Sequence, residues 1–555
     1  MVLGGVVGLR AYAAGQGASA PLQLHVLAPA EPLPSLQPTP FVGTTIFVST
    51  SGSDRNGGTQ TSPVQTINRG VALANVVHAS GQPARVLIAN GVYRESVDLG
   101  GQKTEAEMVI HGGGPNTVLT GADDWSTGWT AQEDGSFVHS WPNKWGMKPV
   151  PPAWEFYWKS LQDPQKDTLR RTETVFFNGV PLMPRISLAT MTGPGQFFVD
   201  EATSRLYIRL PAGASMNNAL IEVGSRVTVL KVNGRRNVTV EQLSIARSRG
   251  GVQDVMVSIT NSKNITLDSV VISNAAHGAI GSATTSGLKI LRSALNDNGV
   301  NGYSDYHNRF VTIEDSEVAR NNWRGYAVGH QGWDSVFKIF GDRDVVVRHV
   351  QFVDNMGSGF WADSNNQRVT VEQSLMKGNV GKGVSLEKND GPIALIGNRV
   401  CNNVEGGIVD AQSDNVTLEN NQIFNNTNFN VAFSGVYAGQ TFTNWETGTS
   451  YTARSWYWTV SGNTVVGSGV GTGPTNAGWL WWHTDYLASG AWASIRNTMQ
   501  LMNNNVWFHT SRPDAFRLPQ GAVPFGGFAS DLQQSNPAFE SQSGWTLPAL
   551  ICALP

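Results

Sequence analysis

Charge, cysteine and long apolar runs are all scarce in this chain. Of its 555 residues only 15% are Asp, Glu, Lys or Arg, and the net charge is -3. No basic tract marks a nucleic-acid surface or an anionic-membrane surface, so neither partner is expected. No apolar run reaches the roughly 18 residues of a membrane-spanning helix. The two cysteines, Cys401 and Cys552, fall in a repeat turn and near the C-terminus, and no bridge between them is expected. So few cysteines say little about the redox compartment.

Glycine is plentiful, with 61 residues, and asparagine recurs in turns. Together with a 40% hydrophobic content this suits a turn-rich β protein. A single compact domain of this length would be unusual, whereas a solenoid grows in one dimension and escapes that limit.

Residues 1–43 combine a short apolar stretch, small residues near Ala11, Ala13 and Ala14, and prolines at 29, 32, 34, 38 and 40. They read as a signal-like start and a linker, which makes a secreted or cell-surface location the expectation. Residues 44–120 open with a strand, then a helical pattern (INRGVALANVV) and a strand pair (ARVLIANGVYRE), a cap and first coils. Residues 121–225 break the rhythm. They hold six tryptophans and hairpin signals such as Asn178-Gly179, and read as an inserted β-rich subdomain. From 226 to 510 coils of 23 or 24 residues repeat, most ending in an Asn turn: Asn298, Asn322, Asn355, Asn379, Asn403, Asn426. Stacked Asn side chains at such turns can bond from rung to rung. One coil is longer by about ten residues, around His330 and Trp333; residues 511–555 form a tail. The fold class expected is all-β, a parallel β-helix (solenoid) with an inserted β-rich subdomain.

Lys338, Asp363, Glu387 and Asp410 follow one another at intervals of 25, 24 and 23 residues. In GFWADSNN, GVSLEKND and GGIVDAQS each acid stands four places after a glycine. Strand alternation then predicts an outward column of Gly281, Asp305, Lys338, Asp363, Glu387, Asp410 and Ser434. Tyr303 and Trp361 would flank it on one side, and His307, Asn365, Asn389 and Gln412 on the other. Like charges on neighbouring strands destabilise, so such a stack is poor structural design and plausible catalytic design.

The coil length, Asn turns and opening run FVSTSGSDRNGGT…GVYRE resemble the right-handed parallel β-helix superfamily of pectate lyases and related carbohydrate-active enzymes. The insertion and the pair GFWADSNN and GVSLEKND, one coil apart, resemble the β-helical β-xylosidases. That resemblance implies a nucleophile at Asp363 and an acid/base at Glu387, with an oligosaccharide or polysaccharide as substrate. Lys338 would favour ionised Asp363, while Asp363 and Asp410 would raise Glu387. Asp305, Lys338, Asp410, Asn365, Tyr303, His307 and His330 would hold sugar hydroxyls, and Trp361 or Trp333 would stack on a sugar face. A retaining glycosidase needs no cofactor. Two alternatives stay open: a polysaccharide lyase or epimerase, in which the acids hold Ca²⁺ and Lys338 abstracts the proton, and a non-catalytic carbohydrate-binding solenoid.

Overall fold

A computed structural model describes residues 41–555 except 102–103, 151, 153–154, 161–165, 327–334, 434–439, 468–480, 484–488 and 512. The signal-like start, His330, Trp333 and Ser434 lie outside the described residues.

The chain winds into a parallel β-helix. Among the described residues three sheets of 13 strands run its length, and each coil contributes one strand to each sheet. One of them, here the site sheet, contains Val255–Thr260, Gly278–Ala283, Tyr303–Tyr306, Phe337–Phe340, Phe360–Asp363, Lys382–Glu387, Gly406–Ala411 and Val431–Phe433 in that order. Inward positions of successive rungs stack into one continuous apolar core, including Phe337, Phe360, Val384, Ile408 and Val431. At the N-terminal end the helix Ile67–Ala79 lays Ile67, Val71 and Ala74 on that core, with Thr66 capping the amide of Arg69. It covers a sheet end whose open edge would otherwise invite pairing.

Each of the three corners carries its own ladder. The first runs Asn298, Asn321, Asn355, Asn379, Asn403 and Asn426, each Nδ2 donating to the next Oδ1 at 2.9–3.1 Å. Asn321, not Asn322, is the member. Asn322 adopts a left-handed turn, and its side chain holds the backbone of Tyr326 and Met356 instead. A second ladder joins Asn366 to Asn389 and Asn389 to Ser413, and a third joins Asn398, Asn421, Asn463 and Asn505. These amides satisfy buried backbone groups at corners where no sheet hydrogen bond can. The glycines before the site-sheet strands follow from the same packing: a Cβ on Gly383 would sit 2.5 Å from Val400 and 2.9 Å from Asn403 Nδ2.

Residues 122–224 leave the solenoid and form a four-stranded and a five-stranded sheet. Between them lies a separate core of Trp141, Phe177, Phe197, Leu206 and Ile221. Trp158 and Leu169 from this excursion pack on Val252, Val300 and Tyr326 of the solenoid. Buried Arg324 donates to the carbonyls of Arg171 and Ala276, joining the two parts.

The cysteine expectation is overturned, because Cys401 and Cys552 form a disulfide. The tail folds back along the solenoid, where Leu550 and Leu554 pack on the cluster of Leu375, Phe424 and Val466, and Arg399 holds the last carbonyls. That return brings together two thiols 151 residues apart in sequence. Cross-linking so long a loop restricts the unfolded chain strongly, so Cys552→Ser should cost about 2–5 kcal/mol. Thermal unfolding with and without reductant checks this; an unchanged Tm would count against a stabilising bridge.

Candidate active site

Strand pairing redraws the expected column. Asp363 pairs directly with Glu387, and both point outward. The rest of their row is Tyr306, Phe340 and Ala411, not Lys338 and Asp410. Lys338 pairs with Trp361, which pairs with Ser385, in the outward row alongside. Asp410 pairs with Leu386 and Phe433, so it faces the core and is fully buried. The doubled Gly406-Gly407 explains the shift: Lys382 pairs with Gly406, so Gly407 is the counterpart of Gly383, and the residue four places on is Ala411.

Asp305 and Tyr303 also point inward. Tyr303 pairs with Phe337 and stacks on it at 4.8 Å between ring centroids, with no exposed surface. Asp305 Oδ1 accepts the amide of Phe340 at 2.9 Å. Asn389 is a buried ladder residue, and Gln412 is buried too. Asn365 is occupied, with Oδ1 accepting from Arg343 and Nδ2 donating to Thr443. His307 is stacked between Tyr306 (3.8 Å) and Trp445 (4.7 Å), and burial lowers its pKa.

What remains outward is compact. Lys338 Nζ lies 2.6 Å from Asp363 Oδ2 and 3.8 Å from the centre of the Trp361 ring. Ser364 Oγ donates to Asp363 Oδ1 at 2.9 Å. Trp361 is 95% buried beneath this ammonium, so it is not the open sugar platform expected; its Nε1–H is buried with no hydrogen-bond partner among the described residues. Lys388, which sequence reasoning overlooked, places Nζ 2.6 Å from Glu387 Oε1. Strict alternation would have turned Lys388 inward, but its left-handed backbone (φ 53°) ends the strand and swings the side chain back. Burial first and the Asp363 carboxylate second raise the pKa of Glu387, while Lys388 and then Lys338 oppose the rise.

A hairpin, Thr441–Thr443 with Ser450–Thr452, walls the strand-end side. Arg343, with no exposed side-chain surface, fastens it through Glu446 (3.1 Å) and Asn444 Oδ1 (3.0 Å). Tyr451 Oη donates to the carbonyl of Lys388 at 2.8 Å, tying the wall to the turn after Glu387. Among the described residues no three His, Cys, Asp or Glu side chains gather as metal ligands. Two of the acids that a Ca²⁺ site would have used, Asp305 and Asp410, face inward, so this donor set does not fit the ion.

A second departure lies just beneath. Asp342 stands in the second ladder where Asn308 and Asn366 flank it; its Oδ1 accepts the Asn308 amide at 2.7 Å, and its own amide bonds Asn366. Tyr303, Asp305, Asn308 and Asp342 are buried against one another, with the two carboxyl groups meeting and the Tyr303 hydroxyl and Asn308 amide directed at Asp305. Burial raises Asp305 to about 6 and, helped by the Asp305 charge, raises Asp342 well above the carboxylate range.

Residues 255–423 and 335–489 match the family model described as "Right handed beta helix region". The solved complex of XylC with xylose is 14% identical, with a TM-score of 0.65 over 91% of this chain and 86% of that one. A solved glycoside hydrolase is 11% identical, with a TM-score of 0.53 over 81% of this chain and 98% of that one. No curated protein matches the sequence. The solenoid is thus a right-handed parallel β-helix.

Burial also raises Asp410 to about 8. The native chain keeps this proton at pH values where the unfolded chain, with an ordinary carboxyl near 4, has released it. Stability therefore falls as pH rises from about 4 to about 8, by up to about 1.4 kcal/mol per unit for one such group. Tm should decline between about pH 5 and about pH 8, and Asp410→Asn should flatten the decline. A Tm that rises over that range contradicts the assignment. Asp342→Asn, which supplies the amide its ladder neighbours carry, should stabilise the chain at neutral pH by about 1–3 kcal/mol in thermal or denaturant unfolding.

Proposed function

We propose that this right-handed parallel β-helix is a retaining glycoside hydrolase with Asp363 as nucleophile and Glu387 as general acid, then general base. The observation that carries the reading is the in-register pairing of these two outward carboxyl residues on adjacent rungs. Strands about 4.8 Å apart suit the short separation, roughly 5 Å, of a double-displacement site and leave no room for the water of an inverting one. The raised pKa of Glu387 supports its role as the proton donor.

In the first step Glu387 protonates the glycosidic oxygen as Asp363 bonds to the anomeric carbon. In the second, Glu387 takes a proton from the water that attacks that carbon and releases Asp363. Lys338 and Ser364 orient Asp363, and Trp361 supports the Lys338 ammonium from beneath. The likeness to a xylose complex and to a glycoside hydrolase makes xylose-type glycosides the first substrates to test. The Cys401–Cys552 bridge supports an oxidising, secreted setting. Among the described residues no helix is long and apolar enough to cross a membrane.

Asp363→Ala and Glu387→Ala should each lower kcat on aryl glycosides by about 10²–10⁴-fold with the fold retained by circular dichroism. Full activity in either variant defeats the proposal. Reducing sugar release should survive chelation; an ultraviolet-absorbing unsaturated product would indicate a lyase instead. Activity should fall as pH rises through the pKa of Glu387, because the acid form is lost. Lys388→Met removes the cation that lowers this pKa, so the alkaline limb of the pH–rate profile should move upward.

A further inference from the structure

The row that carries Asp363 and Glu387 continues toward the N-terminal rungs through two aromatic residues, Phe340 and Tyr306. Their rings are near-parallel, 18° apart with centroids 5.5 Å from each other. Tyr306 is 50% exposed, so its ring is open to solvent on the sheet face. It is also held firmly. His307 stacks on it at 3.8 Å and 18°, and Trp445 of the hairpin wall stacks on His307 at 4.7 Å and 18°. Trp445 is anchored in turn by its Nε1–H to the carbonyl of Gly341 and by the Arg343 and Arg309 guanidinium groups over its ring.

The rungs beyond are low. Ser304, Gly281 and Ser258 continue the row of Lys338, and Ala283 and Thr260 continue the row of Tyr306. Tyr306 therefore stands up from a shallow trough that opens directly from the carboxyl pair, bounded on one side by the hairpin. We propose that Tyr306, with Phe340 and the His307–Trp445 stack behind it, is a binding subsite for a neutral sugar ring one unit or more away from the bond that Asp363 and Glu387 cleave. The substrate is then an oligosaccharide lying along the solenoid axis rather than a lone glycoside. An apolar ring face meets the flat C–H face of a pyranose, and a pre-stacked ring loses little freedom on binding. The proposal rests on the hydrolase reading for the position of the cleaved bond, but the subsite itself is read by binding.

Titration calorimetry of the full chain carrying Glu387→Gln, with xylotetraose as the probe, tests it. Adding Tyr306→Ala should weaken xylotetraose binding about tenfold, the equivalent of one good aromatic contact. Adding Tyr306→Phe should leave it within about twofold, which separates loss of the platform from a folding defect. Unchanged affinity in the alanine variant overturns the subsite, even where the wild-type chain hydrolyses xylosides. Tyr306-dependent binding by a chain that hydrolyses nothing upholds the subsite and removes the hydrolase reading. Absence of both binding and hydrolysis overturns both.

Discussion

Ladders of side-chain amides at the three corners hold the rungs around the site in register with one another, and the geometry of the site depends on them. In the first ladder Asn355 and Asn379 donate from Nδ2 and accept at Oδ1 along the column, and they also bond buried backbone groups that the sheets leave unpaired. A slip of one residue would break each of these links and turn apolar side chains outward. Asp363 can therefore meet Glu387 only one way. Neither side chain has to be positioned by a mobile loop, since both lie on strands whose inward neighbours, Ala362 and Leu386, are locked in the core.

The second ladder changes character at Asp342, and the next residue is Arg343. One replaces an amide by a carboxyl inside the corner. The other sends a fully buried guanidinium outward to Glu446, Asn444 and Asn365. A buried guanidinium requires both an opposing charge and acceptors for its donors, and the hairpin supplies them. The hairpin wall and the Trp445 stack are held at this rung by Arg343 and at the neighbouring rungs by Arg309, Arg368, Asp390 and the Lys388 carbonyl.

The periodic part of this architecture was legible in the sequence because inward apolar residues and corner asparagines recur at a nearly constant interval. Asp363 and Glu387 were legible for the same reason: 24 residues separate them, and no loop intervenes. Lys338 was misplaced by two positions, into the neighbouring outward row, and Asp410 by one, onto the opposite face. Between Phe340 and Asp363 there are 23 residues, so the interval of 25 from Lys338 already spans a change of row. After Glu387 the Gly406-Gly407 doublet offers two frames, and only packing against Asn426 and Asn430 selects the second. Lys388 escaped notice because alternation ends at its left-handed turn. The disulfide escaped because the returning tail belongs to no repeat; its path is decided by contacts with the outer face of finished coils.

Turning Asp305 and Asp410 inward also alters the electrostatic argument. A column of several outward acids would repel a polyanionic chain, which would be a reason to disfavour a uronate substrate. The outward site instead holds two carboxyl groups and two ammonium groups in close pairs, nearly neutral as a whole. Neutrality removes that reason but supplies another. Lys338 lies against both Asp363 and the Trp361 ring, and Lys388 lies against Glu387, so neither ammonium stands as an uncommitted base for proton abstraction. Each carboxyl is matched by one cation, and burial together with the neighbouring Asp363 carboxylate still raises the pKa of Glu387. A site of balanced charge that makes two carboxyl groups unequal is suited to moving a proton onto a neutral glycoside, and less suited to holding an anionic one.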